Sequence, residues 1–221
     1  MKQYSWKETT CNRRDEIMVL FKKKYLLFYV LFVLAVSIST LAYINSSSKL
    51  EEPIQQVVNL SANSLTLREL DKLDAFAELI VIGYATEDFR DREHVITTFN
   101  DGIMQSFHTN TTIKIEQILK KPEDYPSDQN ELTIIEPVSL KGDLKYTAND
   151  YVELQKGDRS VLFLLRNSYG DYGLINDNWG KFSMEGISQS SMPQSATSNE
   201  LLEYETFRDS VMKKYNLDKQ S

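Results

Sequence analysis

Hydrophobic and polar positions divide this chain sharply. From Tyr25 to Ile44 it reads YLLFYVLFVLAVSISTLAYI, twenty residues without a charge, Pro, Gly, Asn or Gln. At about 1.5 Å rise per residue such a helix is roughly 30 Å long, the thickness of a bilayer's hydrocarbon core. Ser37, Ser39 and Thr40 are its only other polar residues, too few for the polar stripe of a soluble helix. Tyr25, Tyr29 and Tyr43 sit where interfacial aromatic belts form. The pattern predicts a transmembrane helix over 25–44.

Beyond it the pattern breaks into short elements. Residues 45–65 are polar and weakly patterned and read as a tether. Thr66 and Glu69 fit a capping box, followed by Leu67, Leu70, Leu73, Phe76 and Ala77 at helical spacing. Leu79–Gly83 is a β-branched apolar run, a buried first strand. Residues 87–104 carry an Asp101-Gly102 turn signal and fit either a hairpin or an exposed loop. Residues 107–119 alternate, with Thr111, Ile113, Ile115 and Gln117 on one parity, and predict a half-buried strand. Residues 131–138 predict a third strand, stopped or kept at an edge by Pro137. A long connection over 139–158 leads to Ser160–Leu165, apolar on both faces and therefore central. Short strand pieces follow at 172–175 and 180–184, then a Ser/Gln-rich loop. A second capping box, Thr197 to Glu200, opens a helix with Leu201, Tyr204, Phe207, Val211 and Tyr215 on one face.

These elements predict an α+β chain. One N-terminal transmembrane helix is followed by a small antiparallel β-barrel-like domain with a flanking helix at each end. The expected division is a cytoplasmic basic segment 1–24, the span 25–44, an extracytoplasmic tether 45–65, a β-rich domain 66–215 and a tail 216–221.

Charge supplies the orientation. Of 25 basic and 32 acidic residues, seven and three fall in residues 1–44, leaving 18 and 29 beyond them, a net of −11. The positive-inside rule then puts the N-terminus in the cytoplasm and the acidic remainder outside the cell. A cleaved signal peptide fits less well, because the apolar run exceeds the usual length and no A-x-A site follows. An acidic exported surface argues against nucleic acid as a partner. The only cysteine, Cys11, precedes the span, so the exported part has no disulfide and no thiolate. Such an ectodomain suits a Gram-positive cell surface. The sequons at Asn45, Asn59 and Asn110 matter only in a eukaryotic secretory pathway.

No catalytic, cofactor or metal set stands out. His94 and His108 lie outside any nucleophile elbow, and no G-x-S-x-G, zinc-ligand spacing or phosphate-cradling loop is present. The tract Tyr169–Gly180 holds Asp171, Asn176, Asp177 and Asn178, which suit either calcium or tight hairpin turns. Its aromatics, Tyr169, Tyr172 and Trp179, suit either a binding edge or core packing.

The segments AELIVIG at 77–83, IKIEQILK at 113–120, LQKGDRSVLFL at 154–164 and WGKF at 179–182 carry a resemblance. Together they are similar to uncharacterised exported domains, OB- or TIMP-like β-barrels, of Gram-positive membrane-anchored proteins. The resemblance implies a small barrel outside the cell and brings no catalytic set to transfer, so it adds nothing on sites. The functional expectation is a single-pass, membrane-anchored extracytoplasmic interaction or sensing module. It would touch the lipid bilayer through residues 25–44 and a surface protein or wall component through the domain. The alternative is an exported carboxylate-dependent hydrolase, which needs two facing carboxyls about 5–9.5 Å apart.

Overall fold

Two apolar runs, Leu79–Ala85 and Ser160–Arg166, lie side by side at the centre of the fold. The computed structural model describes residues 56–62, 66–186 and 191–217. In chain order the strands are β1 (Gln56–Leu60), β2 (Leu79–Ala85), β3 (Glu93–Thr98), β4 (Met104–Lys120), β5 (Glu131–Glu136), β6 (Val138–Lys141), β7 (Leu144–Ala148), β8 (Ser160–Arg166), β9 (Tyr172–Leu174) and β10 (Lys181–Ser183). The helices are α1 (Leu70–Phe76) and α2 (Ser198–Lys214).

Five strands close on themselves in the order β8-β2-β4-β5-β9, with β9 returning to pair with β8. Alternation along β2 and β8 sends Leu79, Val81, Leu162 and Leu164 into the barrel, where they meet Ile113, Ile134 and Tyr172. The opposite faces present Ile80, Ile82, Val161 and Phe163 to a second core, covered by Phe182, Tyr204 and Val211. Burial on both faces explains why these strands read as continuous apolar runs. On β4 the predicted parity holds through Ile115, after which register shifts against β2 move Gln117 outward and Ile118 toward the barrel. Gly83 stands at this irregularity, since a Cβ there would come within 2.6 Å of the Lys114 carbonyl oxygen.

The expected fold class is corrected. Among the described residues the chain is mostly β, a five-stranded barrel with only two helices. Its pairings are not all antiparallel, because β1–β7 and β5–β9 run parallel. No helix among the described residues is long and apolar enough to cross a membrane; the predicted helix 25–44 lies outside them. Nor does a helix open the domain. Residues 56–60, read as tether, form β1, which joins β7 and β6 in a separate three-stranded sheet. Residues 139–158, read as a connection, supply most of that sheet through a hairpin at Gly142, whose φ is +61°. Residues 87–104 form a hairpin arm, β3 against the first half of β4, with Phe99 and Ile103 exposed at its tip.

The Thr66 capping box does not form. The Asn176 side chain brackets Leu67, accepting from its N–H at 2.7 Å and donating to its carbonyl at 2.8 Å, so that segment stays extended. Helix α1 begins only after Glu69. The Thr197 box does form: the Thr197 hydroxyl accepts from the Glu200 N–H, and the Glu200 carboxylate accepts from the Thr197 N–H. Thr197→Ala is expected to lower unfolding free energy by about 1 kcal/mol, read from the urea midpoint at unchanged slope.

Candidate functional site

The dipeptide Asn-Asp occurs at 100–101, 149–150 and 176–177, and in the last two all four residues are left-handed, with φ of 51°, 55°, 64° and 50°. Asn and Asp tolerate this region because their short side chains hydrogen-bond locally. Left-handed residues usually occur singly, so two adjacent ones at each of two turns are unusual, and backbone strain of this kind collects where surrounding structure fixes a site. The first pair follows β7 and the second follows β9. The Asn149 amide donates to the Asp177 carboxylate at 3.1 Å, joining the two turns. Asn149 also accepts from the Ala62 N–H at 2.9 Å, and Asp150 N–H donates to Asn59 at 2.9 Å. Asn178 closes the frame, accepting from Val152 N–H and donating to the Asp150 carbonyl.

These turns line a recess of about 650 Å³. Its charged and aromatic lining is Arg68, Asp150, Asp177, Trp179 and Glu200. The Arg68 guanidinium carbon lies 3.4 Å from the centre of the Trp179 ring, a stacked cation–π contact. Partial burial lowers the Arg68 pKa, opposed by the nearby carboxylates of Glu203 and Glu200. Trp179 is held edge-on by Tyr204 and Phe207 of α2, at centroid separations of 5.6 and 6.1 Å. Gly180 beside it admits no side chain, because a Cβ there would fall 1.7 Å from the Ile175 carbonyl oxygen.

The tract singled out in the sequence is thus divided between two places. Asn176, Asp177, Asn178 and Trp179 belong to the recess. Tyr169 and Asp171 lie in the separate β8–β9 turn, where Asn167 accepts from both of their N–H groups and donates to the Asp171 carboxylate. Tyr172 is buried in the barrel, edge-on to Tyr125 at 6.0 Å. Of the three aromatics, only Tyr169 is exposed, at 90 %. The amide oxygens of Asn176 and Asn178 are taken by backbone donors, and no group of three or more metal-ligating residues occurs among the described residues. Both halves of the tract form turns. His94 and His108 sit on β3 and β4, away from the recess lining.

A polar cluster lies inside the fold. Glu136, fully buried on β5, accepts from Arg92 at 2.9 Å, from the Tyr151 hydroxyl at 2.7 Å, from Leu154 N–H at 2.8 Å and from Thr111. Arg92 donates in turn to the carbonyls of Glu87 and Leu154. Burial, then Glu136, pushes the Tyr151 hydroxyl well above its usual pKa. Nearby, Lys145 pairs with Glu153. Lys181, buried beside a small cavity of about 20 Å³ lined by Ser160, Ser183 and Tyr204, has its pKa lowered to about 8 by burial, with Glu136 and Glu153 opposing. Every member of the Arg92–Glu136 pair's surroundings is satisfied from within the protein, which makes it a structural network.

Arg68, Asn149 and Asp150 were not singled out by sequence reasoning, and Glu200 was read only as the partner of Thr197 in a capping box. The Asn-Asp dipeptide was the available signal, although its third copy, Asn100-Asp101, lies between β3 and β4 outside the recess. Compared with protein-family models and with curated proteins, the chain matches none.

Proposed function

We propose that the domain is an interaction or sensing module displayed outside the cell. It is held at the bilayer through the apolar stretch 25–44, and the recess receives its ligand. The observation that carries this reading is the recess, a concave site large enough for a small ligand or a peptide side-chain cluster. Its walls are fixed by side-chain-to-backbone hydrogen bonds between β1, β7 and the residues after β9. The closed five-stranded order, with its parallel third and fifth barrel strands, is in keeping with OB-type barrels, scaffolds whose loops and faces bind ligands. The likeness to exported OB- or TIMP-like domains belongs to the same proposal.

The hydrolase alternative has less support. A general acid requires a carboxyl whose pKa is raised. In the recess, Glu200 is shifted down by the Thr197 backbone and side-chain hydrogen bonds, and Asp177 already accepts from Asn149. Asp74 and Asp124 are likewise lowered, by Tyr215 and Lys214 and by Arg166 respectively.

In-cell crosslinking of the full chain, with mass spectrometry of the products, tests the proposal against a control lacking 66–215. The expected result is one or two surface proteins or wall fragments recovered only with the domain. An identical set from both chains contradicts it.

A further inference from the structure

The hairpin arm and the small sheet meet at His94. This residue lies on β3 opposite Thr109 of β4, and its ring packs edge-on to Phe89 with centroids 4.8 Å apart. The Leu140 N–H of β6 points at Nδ1, at 3.2 Å. A nitrogen that accepts this bond carries no proton, so the neutral ring keeps its hydrogen on Nε2. Nε2 is buried and makes no hydrogen bond. Nδ1 also lies 2.9 Å from the Thr109 hydroxyl, which donates to the Val138 carbonyl of β6 at 2.6 Å.

We infer that His94 is a proton-operated catch between the arm and β6. With Nδ1 bare, the ring accepts the Leu140 N–H and holds β6 against β3. Its lone pair also faces the Thr109 oxygen at 2.9 Å, an acceptor–acceptor contact that the arriving proton relieves. When a second proton arrives, Nδ1–H turns to the Thr109 oxygen, which is free to accept while its own hydrogen stays on Val138. The Leu140 N–H then faces another N–H, and its bond is lost. Of the other ties between the arm and β6, Ser139 hydroxyl to Val95 carbonyl is long at 3.4 Å, and Thr109 hydroxyl to Val138 carbonyl stays made, so the loss is confined to the Leu140 end of β6. β6 is paired with β7, and Asn149 and Asp150 follow β7 directly, so the catch and the recess share one sheet. The proposal does not depend on what the recess binds.

The charged groups around His94 favour the closed state. Arg92, two residues away, opposes a second positive charge, though it is itself engaged by Glu136 of β5. Lys145 of β7, paired with Glu153, lies over the Phe89 ring at 5.4 Å. His108 of β4 is opposite Val95, and Val138–Leu140 of β6 bring no charge. Burial lowers the imidazole pKa, the Phe89 backbone pulls the other way, and Arg92 lowers it further. A base whose folded pKa is depressed contributes stability that is complete above the ordinary imidazole range. That stability is lost as pH falls below it. The catch therefore opens on acidification.

The test is amide exchange of Leu140 in the full chain, corrected for intrinsic rate, between pH 7.5 and 5.0. Protection at Leu140 is expected to fall by about fivefold or more, the effect of losing one hydrogen bond, while Ile82 in the barrel stays protected. In His94→Asn the side-chain oxygen takes the place of Nδ1 as acceptor without titrating, and Leu140 protection is expected to be independent of pH. Nitrogen NMR of the wild-type ring provides a reading that needs no variant: a bare Nδ1 at neutral pH is expected. A protonated Nδ1 at pH 7.5, flat Leu140 protection in the wild type, or the same pH dependence in His94→Asn would overturn the inference.

Discussion

Glu136→Gln is expected to lower unfolding free energy by about 3–5 kcal/mol, the range found when one partner of a buried ion pair is removed. The substitution keeps the shape of the side chain, so no cavity accompanies it. The Gln oxygen can still accept from Tyr151 and Leu154, but its NH₂ would then face Arg92 and Thr111, both of which donate to Glu136 Oε2. Arg92 is 4 % exposed and would remain as a buried charge without its counterion. Arg92→Met alone is expected to be costly for the converse reason. The double variant is expected to cost clearly less than the two singles added, because the second change removes the charge stranded by the first. Urea unfolding of all four proteins reads the cycle, and strict additivity would show that the pair is not coupled.

Lys181→Met is expected to act in the opposite direction. Lys181 is buried on β10 with its ammonium 5.2 Å from the Tyr151 ring centre, and its pKa is lowered from 10.5 to about 8. Burial outweighs the attraction of Glu136 and Glu153. Between pH 8 and 10.5 the unfolded chain therefore binds more protons at this group than the folded one, so stability rises with pH through that window. Below pH 8 the full cost of holding the ammonium charged is present, about 3 kcal/mol for a shift of that size. Methionine keeps the apolar stem and removes the charge. At pH 7 it is expected to raise stability by about 1–3 kcal/mol. The difference between the two proteins is expected to shrink as pH approaches 10. A variant less stable than wild type at pH 7 would show that Lys181 is held by its ion contacts more strongly than burial opposes it.

How much of this architecture was legible depends on the strand. β2, β4, β5 and β8 were found because each carries an apolar run or an alternation, which on β4 holds only through Ile115, and β8 was placed at the centre because both its faces are apolar. β1, β6 and β7 were missed because they are short and mixed in polarity. β1 is largely exposed, with Val57 60 % exposed, and gives no periodic signal. The parallel pairings were beyond reach for a different reason. They join strands distant in sequence, and their direction is set by how the barrel closes rather than by any local pattern. The N-terminal helix was placed too early because Thr66 and Glu69 have the spacing of a capping box, whereas Asn176, over a hundred residues away, holds Leu67 extended. α2 obeyed the same rule: among the described residues Thr197 bonds only to Glu200 and Leu201 of its own helix.

The recess was half legible. Asn176, Asp177, Asn178 and Trp179 drew attention as one tract with Tyr169 and Asp171. The structure keeps the first four together and assigns the last two to a separate turn. Asn149 and Asp150 were hidden in a stretch taken for a connection, and Arg68 among residues taken for helix. Each reaches the recess by a long-range hydrogen bond or stacking contact that no window of sequence contains.

The claim that the recess is where the domain meets its ligand is tested most directly by placing a photoreactive amino acid at single positions of the full chain expressed in whole cells. Asp150 and Ser195 line the recess, and Lys114 is an exposed position on β4 outside it. Irradiation of whole cells is predicted to give a discrete adduct from Asp150 and from Ser195 and none from Lys114. Adducts of equal yield from all three positions, or from Lys114 alone, would contradict the account.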